Sequence, residues 1–389
     1  MKITSLRFIG SVVIGFMLIN LIGCASLFDR WINDITIDPP YTTKPEITEL
    51  HQQLLIVDLH ADPLLWNRDL LERNSYGHVD VPRLQEGNVT LQVFGVVTGV
   101  PFPISMENNH DQWDLITLLS AIQNWPVETQ DSRLQRALYQ AEKLRNSSTA
   151  SQAALRLIKT RTDLEDLLNA RNQGQKVIGA LLSLEGAHAL EGDPANINVL
   201  FDAGFRMLGL VHLMDNDMAG SAHGVRKHGL TDKGRQLVER ALSLGMVIDL
   251  AHASEQTIND VLQMSNQPVV ASHGGVRATC DTARNLEDRH IQAIAKNGGI
   301  IGIGLYEYAT CGTTMSDTVR AIRHIVKLVG IEHVALGSEF DGATETLTDV
   351  TGLILLTEAL RKDGFNDEEI NAIMGINALR VLRTILPQH

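Results

Sequence analysis

Residues 246–264 read MVIDLAHASEQTINDVLQM, and two structural periods follow one another within them. Met246–Leu250 is a short apolar run suited to a buried strand, whereas Ser254–Met264 repeats apolar residues at helical spacing behind a serine that suits an N-cap. His252 stands at the junction. The same unit recurs along the chain. Strands are expected near Leu55–Asp58, Thr90–Val97, Val177–Leu184, Arg206–Val211, Met246–Leu250, Pro268–Ser272, Gly299–Gly304 and His333–Gly337. Amphipathic stretches such as Asp232–Leu244 and Leu286–Lys296 lie between them. Alternation of this kind argues for a parallel sheet with helical crossovers, and eight units in one chain argue for a (β/α)8 TIM barrel.

A connection from strand to helix is ordinarily a few residues long. Between the second and third strands the chain instead carries a helical insertion, about Asn109 to Asn172, whose apolar face draws on Ile116, Leu118, Leu119, Ile122, Leu134, Leu138 and Leu144. Leu353–Lys362 and Asp367–Leu382 read as helices that close the barrel. With 389 residues, 44% hydrophobic and 20% charged, the chain suits one large domain with insertions, and no internal repeat divides it. A formal charge of −13 and the lack of a Lys/Arg stripe argue against nucleic acid as a partner.

At the start of the chain, Lys2 and Arg7 precede an apolar run from Phe8 to Ile22, short for a membrane span and suited to a signal h-region. It closes on Leu21-Ile22-Gly23-Cys24, which resembles the lipobox of bacterial lipoproteins, where the signal is cut before the cysteine and the new terminus is lipidated. Residues 1–23 then read as the signal peptide, 24–45, with Pro39, Pro40 and Pro45, as a lipidated tether, and 46–389 as the folded barrel. An ordinary signal peptide or N-terminal anchor with an incidental cysteine is the alternative. The lipobox reading places the protein in a bacterial cell envelope, and Ala25 after Cys24, where Asp would retain it, favours the outer membrane facing the periplasm. Cys280 and Cys311 remain, and an even pair in an oxidising compartment invites a disulfide, two buried thiols being the alternative.

Ionisable residues fall at the carboxyl ends of the expected strands. His60 and Asp62 follow the first, Glu185 the third, His212 the fourth, His252 the fifth, His273 the sixth and Asp341 the last. In a barrel these ends converge on one mouth, where the chemistry of the fold is placed. A lone histidine or carboxylate there is ordinarily a satisfied core residue or an N-cap, but burying several together without a counter-ion is costly. Imidazole and carboxylate ligands suit zinc, with manganese, cobalt or iron as other occupants, and a carboxylate able to bridge suits two ions.

The segments DLHADPL, SLEGAHAL, GFRMLGLVH, GMVIDLAHAS, VVASHGGVRATCDTARNLED and ALGSEFDG, in this order, resemble the membrane (renal-type) dipeptidase family, from about Leu54 to Leu382. The resemblance implies a zinc-dependent dipeptidase with two ions per subunit and a metal-bridging hydroxide. It assigns His60, Asp62 and Glu185 to the first zinc and Glu185, His252 and His273 to the second, with Asp341 as acid/base, His212 on the substrate carbonyl oxygen and Arg284 on the terminal carboxylate. It implies a dipeptide substrate, with a D-residue at its carboxyl-terminal position as one option, and a homodimer among the assemblies. Glu339 departs from the family's common Asp, and Ala61 and Gly274 from its usual Asn and Ser. The loop after Asp341 also looks short, which bears on the substrate pocket. Rival readings are a hydrolase of β-lactams or lactones and a specialised lipoprotein that tailors one peptide-derived metabolite.

Overall fold

A computed structural model describes residues 25–388 of the chain. The signal segment and Cys24 lie outside the described residues. Nine parallel strands form one sheet: β1 Ile56–Ala61, β2 Val89–Val97, β3 Leu155–Leu157, β4 Ile178–Glu185, β5 Phe205–Gly209, β6 Val247–Asp249, β7 Val270–Gly274, β8 Ile300–Ile303 and β9 Val334–Leu336. Eight of them run β2-β1-β9-β8-β7-β6-β5-β4, and β2 pairs with β4 to close the barrel. These are the eight expected strands, each within a few residues of its expected bounds.

Inside the barrel, Val57, Leu59, Leu91, Val93, Leu181 and Met207 form one apolar cluster, plugged by Leu379, Leu382 and Ile385 of the last helix. Ile56 and Ala61 of the same β1 belong instead to the layer between sheet and helices. That change of phase coincides with a register shift between Asp58 and Ala61 in the β1–β2 pairing. The helices enter as their caps dictate. Ser254 accepts from Thr257 N and starts the helix Glu255–Met264, and Thr231 does the same for Asp232–Ser243 through Gly234 N.

Several sequence expectations need correction. The insertion contains helices Leu115–Ile122, Arg133–Ala150 and Arg161–Asn172, but also the strand β3, which pairs with the first residues of β4. Leu118, counted on its apolar face, is exposed, while Leu144 is fully buried. The closing helix is not continuous: a π turn, Ala372–Ile376, separates Asp367–Asn371 from Asn377–Ile385. There Gly375 lies so close to Leu55 O that a Cβ would sit 1.8 Å away, so the wider turn admits the backbone to the base of β1.

The segment expected as a tether packs on the barrel. Residues 25–32 are helical, and Ala25, Asp29 and Asn33 are buried. Asp29 Oδ2 accepts from Arg68 Nε at 2.9 Å, and Asn33 Oδ1 accepts from Ala343 N at 2.9 Å. Thr36 N donates to Thr346 O at 3.0 Å, and Thr346 N to Asp34 O at 3.1 Å. The prolines marked this stretch as extended; Asn33 finds its partner, Ala343, at a distance of 310 residues along the chain, which local pattern does not reveal.

Candidate active site and metal centre

The carboxyl ends of six strands bring their ionisable residues into one cluster. His60 Nε2 lies 3.3 Å from Asp62 Oδ1 and 3.6 Å from both Glu185 Oε2 and Glu339 Oε2. Glu185 Oε1 is 3.0 Å from His252 Nε2, 3.5 Å from His273 Nε2 and 3.6 Å from His212 Nε2. His252 Nε2 and His273 Nε2 face each other at 3.0 Å. Gly95 on β2 makes room for the first pair, because a Cβ there would sit 2.1 Å from Asp62 Oδ1. His252 and Glu339 both take left-handed backbone, at φ 61° and 69°, an uncommon conformation that concentrates where function fixes the chain.

Neighbouring polar groups settle the orientation of His273. Ser272 Oγ donates its single proton to Asp249 Oδ2 at 2.5 Å, so at 2.8 Å from His273 Nδ1 the same oxygen must accept. The proton therefore sits on Nδ1, and Nε2 presents a lone pair to the cluster. Asp58 performs a related task across the barrel, accepting from Ser338 N at 2.8 Å and Ser338 Oγ at 2.6 Å and so fixing the turn that leads to Glu339.

Asp341, expected as the acid/base, is not part of the cluster. Its oxygens accept from His78 N at 2.7 Å and Val79 N at 3.0 Å, and Arg68 Nη2 lies 2.7 Å from Oδ1. These contacts hold its carboxyl below the usual range against the opposing effect of burial. Glu339 takes the place instead, with Oε2 3.3 Å from His273 Nε2 and no hydrogen-bond partner. The backbone takes positive φ at Glu339, Asp341 and Ala343, and it is Glu339, rather than the Asp341 that the family resemblance implies, whose carboxylate faces the cluster. Burial pushes Glu339 up to about 7, opposed mainly by His60.

Arg284 is buried at the edge of the cluster, donating to His273 O, with Nε unpartnered. It lines a cavity of about 230 Å³ together with His212, Tyr308, Val97, Ile104 and Met106. His223 escaped the sequence reading. It is buried, lies on a loop rather than at a strand end, donates from Nδ1 to Met106 O at 2.7 Å, and has its ring 5.4 Å from that of His252. The disulfide Cys280–Cys311, with Cα atoms 5.3 Å apart, ties the Arg284 loop to the turn that follows Tyr308.

The cluster suits cations. Asp62, Glu185 and Glu339 place three carboxylates beside one guanidinium, Arg284, in surroundings where an unbalanced charge is costly. Burial lowers the pKa of His252 and His273 well below the ordinary value, keeping both imidazoles in the neutral form that ligates. Asp62 Oδ1, Glu185 Oε2 and Glu339 Oε2 are buried without hydrogen-bond partners. Three overlapping sets, His60/Asp62/Glu339, His60/Glu185/His273 and Glu185/His212/His252, each gather ligand atoms within 4.8 Å.

Comparison with known proteins agrees with this chemistry. Residues 44–387 match the family described as Membrane dipeptidase (Peptidase family M19). The chain is 32% identical over 253 residues to an uncharacterized protein in the pqqA 5' region of Klebsiella pneumoniae, covering 61% of this chain and 92% of the relative. It is 32% identical over 273 residues to dipeptidase 3 of Rattus norvegicus, covering 67% of this chain and 54% of the relative, so the match spans about half of that protein's length. Among solved structures, a metallo peptidase from Rhodobacter sphaeroides liganded with a phosphinate mimic of the dipeptide L-Ala-D-Ala superimposes with a TM-score of 0.71 at 25% identity, covering 85% of this chain and 99% of that one.

Proposed function

The chain belongs to the membrane dipeptidase family, and from that premise we propose that it hydrolyses the peptide bond of dipeptides with two zinc ions, with Glu339 as its acid/base. His60, Asp62, Glu185, His252 and His273 would hold the ions. Bound there, zinc supplies Lewis-acid polarisation of the carbonyl and lowers the pKa of water.

The remaining steps belong to side chains. Arg284 grips the substrate's terminal carboxylate, which orients the scissile bond toward the cluster. His212 faces the carbonyl oxygen and stabilises the charge that develops on it as water adds to the carbon. Glu339 takes the water's proton at Oε2 and passes it to the leaving nitrogen as the C–N bond breaks. The observation that carries the assignment is the free Glu339 Oε2 at 3.3 Å from His273 Nε2, while both oxygens of Asp341 are engaged elsewhere. A cavity of about 230 Å³ suits a substrate of dipeptide size. The phosphinate mimic of L-Ala-D-Ala belongs to the Rhodobacter protein, and it supports testing a D-residue at the carboxyl-terminal position here.

The second part of the proposal concerns place. The apolar run 8–22 and the lipobox ending at Cys24 support an acylated lipoprotein of the bacterial envelope, held at the outer membrane and facing the periplasm. Turnover of L,L- and L,D-dipeptides by zinc-loaded protein, with Glu339→Gln and Asp341→Asn beside it, tests the first part. Glu339→Gln is expected to lower kcat by roughly 10²–10⁴-fold with zinc content unchanged. Undiminished turnover in that variant removes Glu339 from the role, and silence from a parent holding two zinc ions favours a β-lactam, lactone or peptide-metabolite substrate.

A further inference from the structure

The helix at residues 25–32 has two different sides. Ala25, Asp29 and Asn33 face the protein, and Leu27, Phe28 and Trp31 are exposed, Trp31 at 73%. A second exposed apolar group, Phe102, Ile104, Met106, Trp113 and Leu118, stands on the loop and helix that rim the barrel mouth, with Trp113 also at 73%. The two groups surround one buried cluster. Trp66, Ile116 and Trp125 form its centre, with Ile32 from the first group's helix and Val100 and Leu119 from the second group's segment packed against it. Phe28 reaches the same centre, its ring 6.3 Å from that of Trp66. Exposed apolar side chains gathered in this way mark an interaction face rather than ordinary surface.

We propose that this rim is a membrane-contact face, seated on the bilayer into which Cys24 is anchored; the inference rests on the anchoring proposed above. The chain itself names the occupant. Cys24 immediately precedes Ala25, and the apolar run 8–22 lies just before it, so an acyl group on Cys24 brings lipid within one residue of the exposed helix. Tryptophan and phenylalanine are the side chains that favour the depth of the headgroups. Arg30, exposed beside Trp31, can meet anionic headgroups, and the two acidic residues near Trp113 are both paired, Asp111 with Arg133 at 2.5 Å and Asp114 with Arg136 at 2.5 Å. The mouth then opens close to the membrane surface, and substrate enters along it.

The test uses the full chain in vesicles of phosphatidylethanolamine and phosphatidylglycerol whose acyl chains carry bromine, a contact quencher of indole emission. Two of the four tryptophans lie on the proposed face while Trp66 and Trp125 are buried, so roughly half of the emission is expected to be quenched. The quenchable part should vanish in the double variant Trp31→Phe, Trp113→Phe, which keeps the apolar contacts and so the fold. A chain that floats with the vesicles but is quenched no more than the double variant is anchored with its rim clear of lipid, and the proposal fails while the anchoring stands. Protection of both tryptophans from acrylamide in lipid-free detergent, with the mass of a dimer, assigns the face to a second copy and also overturns it. A chain that does not float, with unmodified Cys24 by mass spectrometry, overturns the anchoring and the contact face together.

Discussion

At the scale of single residues, the site is governed by which lone pairs point inward. His273 presents Nε2 only because Ser272 passes the orienting effect of Asp249 to Nδ1. Ser272→Ala leaves the ligand in place but frees the ring, and groups of this kind typically hold roughly 10–100-fold in metal affinity. Competition of the variant with a chromophoric chelator measures the loss, and an unchanged affinity would show that packing alone orients the ring. Most of this set is legible as residue type and position: a histidine or carboxylate at the end of each strand. Glu339 was legible as a departure from its family and illegible as a participant. The family motif led to Asp341, and only the contacts of the two side chains, Glu339 toward His273 and Asp341 toward His78, Val79 and Arg68, separate them. His223 gave no signal at all, since it follows no strand and acquires its place from the loop around Met106.

Among the elements, the loop after β9 does two jobs, carrying Glu339 into the site and Asp341 into a buried pair with Arg68. Arg68 also binds Asp29 of the first helix, so one guanidinium fastens both the amino-terminal segment and the loop of the proposed acid/base. Gly77 lies against this guanidinium at φ 67°, where a Cβ would be 2.3 Å from Arg68 Cζ. Arg68→Met leaves two buried carboxylates without their cation, and breaking such a pair costs about 3–5 kcal/mol. The loss should appear as a lower urea midpoint, and a midpoint within error of the parent would show that the pair contributes little. Removing the disulfide by Cys280→Ser with Cys311→Ser is expected to cost about 3–4 kcal/mol for a closed loop of this length and to raise KM more than it lowers kcat, because Arg284 lies within the loop. Equal effects on KM and kcat would place the consequence outside substrate binding. The eight barrel strands were readable because each is a short, largely apolar run buried on both faces. Strand β3 was not, for its three residues, Leu155–Leu157, carry no period and exist as a strand only because β4 is beside them.

For the whole molecule, buried histidines set the acid limit. His51 lies 2.8 Å from Thr357 Oγ1 and 3.2 Å from Gly87 O, and burial pulls its pKa from 6.5 down to about 4. His223 is drawn down to about 4 by the same cause. Between these values the unfolded chain binds protons that the folded chain refuses, so stability falls as the pH falls from 6.5 toward 4 and levels below it. Urea midpoints of chelated protein across that range should trace the fall, and His51→Gln should flatten it; a parallel slope in the variant would locate the cause elsewhere. The closed barrel was readable from the rhythm of the chain, whereas the packing of residues 25–38 against the loop after β9 depends on partners that sequence distance conceals. The bridge between Cys280 and Cys311 carries a last consequence. Disulfides persist in oxidising compartments, so under the export proposed above the arm that receives substrate matures only after the chain has left the cytoplasm. Geography then acts as a safety catch, sparing the cell's own pool of small peptides during synthesis. Dipeptide turnover by reduced and oxidised protein, compared side by side, shows how firmly the catch holds.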